Sequence, residues 1–144
     1  MVKVERPTID IGLVCSDFEA SLHFYRDILG LEIAAEVLVD DEGATKFGLA
    51  PRGFRHVRMR AGGTLIKLME IESPPARRGE EFAAGVRWLT LIVSDVYATY
   101  NDLKAKGARF LSEPAPIHAE GEDPVAGVVC AVDPDGLLIE FVQL

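Results

Sequence analysis

Ile11-Gly-Leu-Val-Cys-Ser-Asp17-Phe-Glu-Ala20 returns later in the chain as Leu89-Thr-Leu-Ile-Val-Ser-Asp95-Val-Tyr-Ala98. The same spacing separates 89 from 11, 95 from 17 and 98 from 20, so the chain carries one unit twice. Each copy is an apolar strand, then Ser-Asp, then an amphipathic stretch that ends near a glycine. In the first copy Ser16 and Glu19 read as an S-x-x-E capping box. Phe18, Leu22, Tyr25, Ile28 and Leu29 then recur at helical spacing, and Gly30 is placed to end the helix. In the second, Val96, Tyr100 and Leu103 make the stripe and Gly107 ends it. Two copies predict a pseudo-symmetric domain, since a solenoid needs more repeats.

Outward from the repeat, strands are expected at about 31–39, 54–61 and 64–71, and again at about 108–112, 126–132 and 137–143. Gly62-Gly63 suits a two-residue hairpin, where glycine supplies positive φ cheaply. Asp133-Pro134-Asp135-Gly136 is a turn signal between the last two strands. Each module therefore reads β-α-β-β-β: module one at about 7–72 and module two at about 85–144, within one domain of residues 1–144. The stretch 73–84 between them, with Ser73-Pro-Pro-Ala-Arg-Arg-Gly-Glu-Glu81, has linker composition, and Arg77 and Arg78 read as solvated charges there.

The bulk properties narrow the function. The 144 residues suffice for one ordinary domain, and 49% hydrophobic with 26% charged residues is usual for a globular protein. No apolar run approaches the roughly 20 residues of a membrane span, and Met1–Pro7 lacks the apolar core of a secretory signal. A cytoplasmic protein without a membrane partner is expected. Cys15 and Cys130 lie in apolar strand-like runs and read as buried free thiols. A net charge of -8 argues against nucleic acid as partner. No phosphate loop, CxxC pair or nucleophile motif is present.

Strand alternation assigns the faces. Ile9, Ile11, Leu13 and Cys15 should pack beneath the helices, leaving Asp10, Gly12 and Val14 on the other face. A two-residue turn at Gly62-Gly63 sets Arg58 opposite Lys67 and His56 opposite Met69, all four on that second face, with Val57, Met59, Ile66 and Leu68 beneath the helix. Phe54 shares the hairpin face of His56. Trp88, Thr90 and Ile92 take the same face in the second module, as do Leu138, Glu140 and Val142. A one-residue slip would reverse every assignment.

The repeat, together with Asp10-Ile-Gly-Leu-Val-Cys-Ser-Asp17, Phe24-Tyr25-Arg26-Asp27-Ile28-Leu29-Gly30-Leu31 and Asp133-Pro-Asp-Gly-Leu-Leu-Ile-Glu140, resembles the vicinal-oxygen-chelate superfamily of glyoxalases, bleomycin-resistance proteins and extradiol dioxygenases. The resemblance covers nearly the whole chain. It implies an α+β fold of two βαβββ modules whose curved mixed sheets form one concave cup, usually in a homodimer. Such folds host many chemistries, so function has to be argued from the cup.

In metal-binding members, four positions usually supply the ligands, and motif matching puts them at Asp10, Lys67, Trp88 and Glu140. Asp10 and Glu140 are competent oxygen ligands. Lys67 brings a positive charge and Trp88 an N–H donor without a lone pair, so the resemblance implies a site that has lost its metal. No metal or other cofactor is therefore expected; a divalent ion would need Asp10, Glu140 and His56 as its set. Lys67 is expected to take the place of the cation, pairing with Asp10 and Glu140, which makes these three the candidate catalytic residues. His56, Arg58, Trp88 and Phe54 are the candidate ligand-binding residues, the first two forming a cationic wall with Lys67 and the aromatics a stacking surface. His118, in the loop 114–124, reads as a surface residue, and His23 as one on the surface of helix one or packed against it. Three readings stand side by side. One is a metal-free lyase or isomerase acting on a small anionic or aromatic metabolite. A second is a non-catalytic small-molecule binding or resistance protein. The third is a metal-dependent dioxygenase or lyase.

Overall fold

Each copy of the repeat begins as a strand on one side of an aspartate and continues as a helix on the other. The computed structural model describes residues 1–74, 82, 84–117 and 125–144. Contacts divide the chain into two compact units, 1–75 and 76–144. Both units are mixed sheets with a helix on one face, and the chain has an α+β fold of two curved mixed sheets. The stretch read as a linker lies largely outside the described residues, as do Arg77, Arg78 and His118.

In unit one, β1 (Ile11–Val14) leads into α1 (Phe18–Leu22) and a π-helical continuation (His23–Ile28). Then come β2 (Glu32–Val39), a short α2 (Asp41–Lys46), β3 (Phe54–Ala61) and β4 (Thr64–Glu70). The sheet order is β1-β4-β3-β2, with β1 and β4 parallel and the other pairs antiparallel. Unit two repeats the plan with β5 (Trp88–Ile92), α3 (Val96–Ala105), β6 (Arg109–Phe110), β7 (Ala115–Ile117), β8 (Val125–Val132) and β9 (Leu138–Gln143). Its main path is β5-β9-β8-β6, with β7 also on β8 and β5 parallel to β9.

The first helix differs from expectation at both ends. Its cap is Asp17, not Ser16: Asp17 is extended, and its carboxylate accepts from the Ala20 N–H at 3.0 Å. Asp95 caps α3 in the same way through Ala98, so the repeated aspartate opens both helices. Beyond Leu22 the helix widens, and Leu29 donates to the Phe24 carbonyl. The wider turn brings one more side chain to the core. Phe24, absent from the predicted stripe, is buried with Tyr25, their rings edge to face at 5.1 Å. The remainder of the stripe is placed as expected: Phe18, Leu22 and Ile28 are buried and Leu29 is half-buried.

Strand alternation places the hairpin side chains as expected, but Ile9, expected beneath the helix, precedes β1 and is exposed. Val57, Met59, Ile66 and Leu68 are buried on the helix side, with Cys15 beside them. Arg55 also lies on that side, over the Phe18 ring at 4.7 Å and hydrogen-bonded to Glu70 at 2.8 Å. In the β3–β4 turn only Gly62 has positive φ, at 59°. Gly63 is needed for room instead, because a Cβ there would come 2.9 Å from Thr8 Cγ2. In the second tight turn, Asp133 Oδ1 accepts from the N–H groups of Asp135 and Leu137, and Gly136 carries the positive φ. Part of the presumed loop from residue 114 pairs with the sheet as β7, and 118–124 are outside the described residues. Among the described residues no helix is long and apolar enough to cross a membrane.

Candidate functional site

The face of unit one turned away from its helix carries Lys67, Arg58 and His56. Arg58 and Lys67 are direct cross-strand partners, and Gly12 and Ala35 continue that row on either side. The next row holds Val14, Met69, His56 and Val37. Phe54 and Val39 stand beyond it, and Asp10 lies at the opposite end, just before β1. The two cationic residues are thus flanked by the smallest side chains available.

Lys67 Nζ lies 3.2 Å from Asp10 Oδ2, both side chains being partly exposed. Asp10 Oδ1 also accepts from the Leu65 N–H at 3.3 Å, and Arg6 stands 3.5 Å from Oδ2. The hydrogen bond from Lys67 is the main cause that holds the Asp10 carboxyl below its usual pKa. Asp10 is therefore an anion that orients the ammonium rather than a ready proton acceptor.

His56 is only 6% exposed, and its Nδ1 has no hydrogen-bond partner among the described residues. Burial lowers its pKa, and the positive charges of Arg58 and Lys67 add to the effect. At neutral pH it is an uncharged imidazole beside two cations. Arg58 Nε is likewise buried and unpartnered among the described residues. Phe54 is buried too, its ring 6.1 Å from that of His56. His23, by contrast, is exposed and pairs with Asp27 at 2.9 Å.

In unit two, Glu140 is the positional counterpart of Lys67: Thr90 pairs with Glu140 as Gly12 pairs with Lys67. Thr90 Oγ1 donates to Glu140 Oε2 at 2.6 Å. Cys130 is the cross-strand neighbour of Glu140 on β8. It is half-buried rather than fully buried, because it belongs to the face away from α3. Burial and then the Glu140 charge push its thiol pKa up, so it is a poor nucleophile. Trp88 is 55% exposed on the same face.

The candidate residues therefore fall into two clusters. Asp10, Lys67, Arg58, His56 and Phe54 belong to unit one; Trp88 and Glu140 belong to unit two. Within unit one the positions that match the metal-ligand pattern hold an aspartate and the lysine paired with it. Within neither unit, among the described residues, do three His, Cys, Asp or Glu side chains gather as a metal set. Lys67 and Trp88 do not fit a divalent ion at their positions. Gly12 and Thr90 were legible as residues of the open face, but nothing in the alternation assigned them a role. Their importance follows from parallel pairing with Lys67 and Glu140, a register that no turn sets.

Comparison with known proteins is consistent with this architecture. A family model described as the glyoxalase/bleomycin resistance protein/dioxygenase superfamily matches residues 9–141. The uncharacterised protein YwkD of Bacillus subtilis is 30% identical over 135 residues, covering 92% of this chain and 93% of that protein. A probable lactoylglutathione lyase of Synechocystis is 29% identical over 127 residues, 88% of this chain and 87% of that protein. Among solved structures, a glyoxalase family protein of Bacillus cereus superposes with a TM-score of 0.72 at 19% identity, covering 99% of this chain and 97% of that one. At that identity the likeness speaks for the fold alone.

Proposed function

This chain belongs to the glyoxalase/bleomycin resistance protein/dioxygenase superfamily, and on that premise we propose that it binds a small organic anion on the open face of unit one, with Lys67 in the role of a divalent cation. The observation that carries the reading is the Lys67–Asp10 pair at 3.2 Å. An ammonium held there by a carboxylate supplies positive charge without a metal. Arg58 adds a second charge in the same row, and neutral His56 adds a hydrogen-bonding group. In an otherwise acidic chain, such a concentration of positive charge is a selective attractor for anions. Asp10 is a positioning residue in this scheme.

Titration of small carboxylates into the full chain, followed by backbone NMR, tests the reading. Shifts should centre on residues 58 and 67 and be lost in Lys67→Met. Elemental analysis provides an independent arm. Stoichiometric metal whose removal abolishes carboxylate binding would overturn the metal-free assignment.

A second reading, a lyase or isomerase, draws support from the names of the Synechocystis relative and of the lactoylglutathione lyase of Haemophilus influenzae. Glu140, oriented by Thr90 within unit two, is a carboxylate suited to proton transfer. Conversion of lactoylglutathione by the wild type and its loss in Glu140→Gln would support turnover, while an inactive wild type would favour a binding or resistance role. A homodimer accords with the apolar side chains that β1 and β5 expose, Val14, Trp88 and Ile92, and sedimentation velocity measures it.

A further inference from the structure

The open face of unit one is graded in polarity along the strands. At one end stands Asp10, then the cationic row of Lys67 and Arg58, then a row in which Val14, Met69 and Val37 surround His56, and finally Phe54 and Val39. Two observations within this gradient point to the shape of a ligand. Gly12 and Ala35 flank the cations, so nothing bulky on either neighbouring strand shields them. A Cβ at Gly12 would meet only Met69 Sδ, at 3.4 Å, so the thioether borders the opening beside Lys67. His56 Nδ1, in a residue more than nine-tenths buried, is a polar atom without a partner among the described residues. Buried polar atoms are almost always paired, so an orphan on this face marks where a ligand atom belongs.

We propose, building on the anion-binding reading above, that the ligand is an aromatic monocarboxylate with a hydroxyl group opposite its carboxylate. The carboxylate lies against Lys67 and Arg58 in the space left by Gly12. The ring spans from that row toward the next, with Met69 sulfur at its edge, a favourable contact for a polarisable thioether. The hydroxyl reaches His56. Successive rows on one face are two residues apart, roughly 7 Å, a spacing on the scale of one substituted aromatic ring. A neutral imidazole has one donor and one acceptor nitrogen, and a hydroxyl complements either, so the match holds for both tautomers.

Acetate, benzoate and 4-hydroxybenzoate, titrated into the full chain and followed by NMR, separate the parts. Benzoate should bind at least about tenfold more tightly than acetate, from ring burial and the sulfur contact. The hydroxyl should add about three- to tenfold. His56→Phe should lose only the hydroxyl increment, and His56→Gln, which keeps a hydrogen-bonding group, should retain part of it. Should His56→Phe not fold, His56→Gln with a halved increment serves the same purpose. Gly12→Val should weaken all three ligands by filling the space beside Lys67. If benzoate and acetate bind equally at residues 58 and 67, the aromatic assignment is wrong while the anion site stands. If the hydroxyl adds nothing, or both His56 variants keep its full effect, the role of His56 is wrong. If no carboxylate perturbs those residues, the underlying anion reading fails as well.

Discussion

Lys67 Nζ and Asp10 Oδ2 stand 3.2 Å apart, joined across the parallel pair β1–β4, and Asp10 also takes the Leu65 N–H. The contact closes the two ends of unit one onto each other. It also gives the lysine a fixed direction, which a solvent-exposed ammonium would lack. Removing either partner changes the other.

Lys67→Met should therefore raise the Asp10 pKa toward its ordinary value of 3.8, since the lysine hydrogen bond is the largest cause of the depression. A depressed folded-state pKa stabilises the protein above the unfolded value and loses that contribution as pH falls through the folded one. The stability gap between wild type and variant should thus be widest near neutrality and narrow in acid. Carboxyl carbon NMR reads the titration directly; an Asp10 titration unchanged in the variant would show that the pair does not form.

His56 has the opposite preference to a paired histidine, because burial and the charges of Arg58 and Lys67 disfavour its protonation. With the folded pKa below the ordinary value of 6.5, the unfolded chain binds more protons in the interval between the two. Stability should then fall as pH drops below about 6.5. The slope attributable to this group should disappear in His56→Phe. Urea unfolding at several pH values between 7 and 5 checks it, and parallel slopes in the two proteins would be evidence against a neutral buried imidazole.

The paired aspartate caps make a matched set. Asp17→Ala and Asp95→Ala should each cost about 1 kcal/mol of unfolding free energy, within a range of about 0.5–2, by releasing the N–H groups of Ala20 and Ala98. Ser16→Ala should cost less than Asp17→Ala, because Asp17 holds the cap position. Denaturant midpoints at constant m-value measure all three.

Two glycines facing opposite sides of their sheets should behave differently. A Cβ at Gly127 would come 2.5 Å from Val96 Cγ1, so Gly127→Ala forces α3 off its sheet and should cost about 1–3 kcal/mol. A Cβ at Gly12 meets only Met69 Sδ at an ordinary 3.4 Å, so Gly12→Ala should fold normally. Comparison of thermal midpoints decides, and equal losses would mean that the close approach of α3 to Gly127 is absent.

Much of this architecture was legible because its determinants are local. Period-two alternation placed Val57, Met59, Ile66 and Leu68 under the helix, and one tight turn at Gly62-Gly63 set Arg58 opposite Lys67. The repeat located both helices through their aspartates, although the first cap lies one residue beyond the expected Ser16. The π-helical continuation, α2 and β7 were not foreseen. None has a periodic signature of its own: the first is a change of helical width within one stripe, and the others are too short to establish a period.

The candidate site divides along the same line. Sequence alone determined which side chains share a face, since alternation is a covalent consequence of the pleated backbone. It thereby put Asp10, His56, Arg58 and Lys67 together, and Trp88 with Glu140. Only the tertiary structure decided that Lys67 bonds Asp10, that Thr90 bonds Glu140, and that His56 and Phe54 are buried. The two bonds depend on the parallel pairs β1–β4 and β5–β9. Their strands are far apart in the chain and joined by no turn, so their register is set by packing across the whole module.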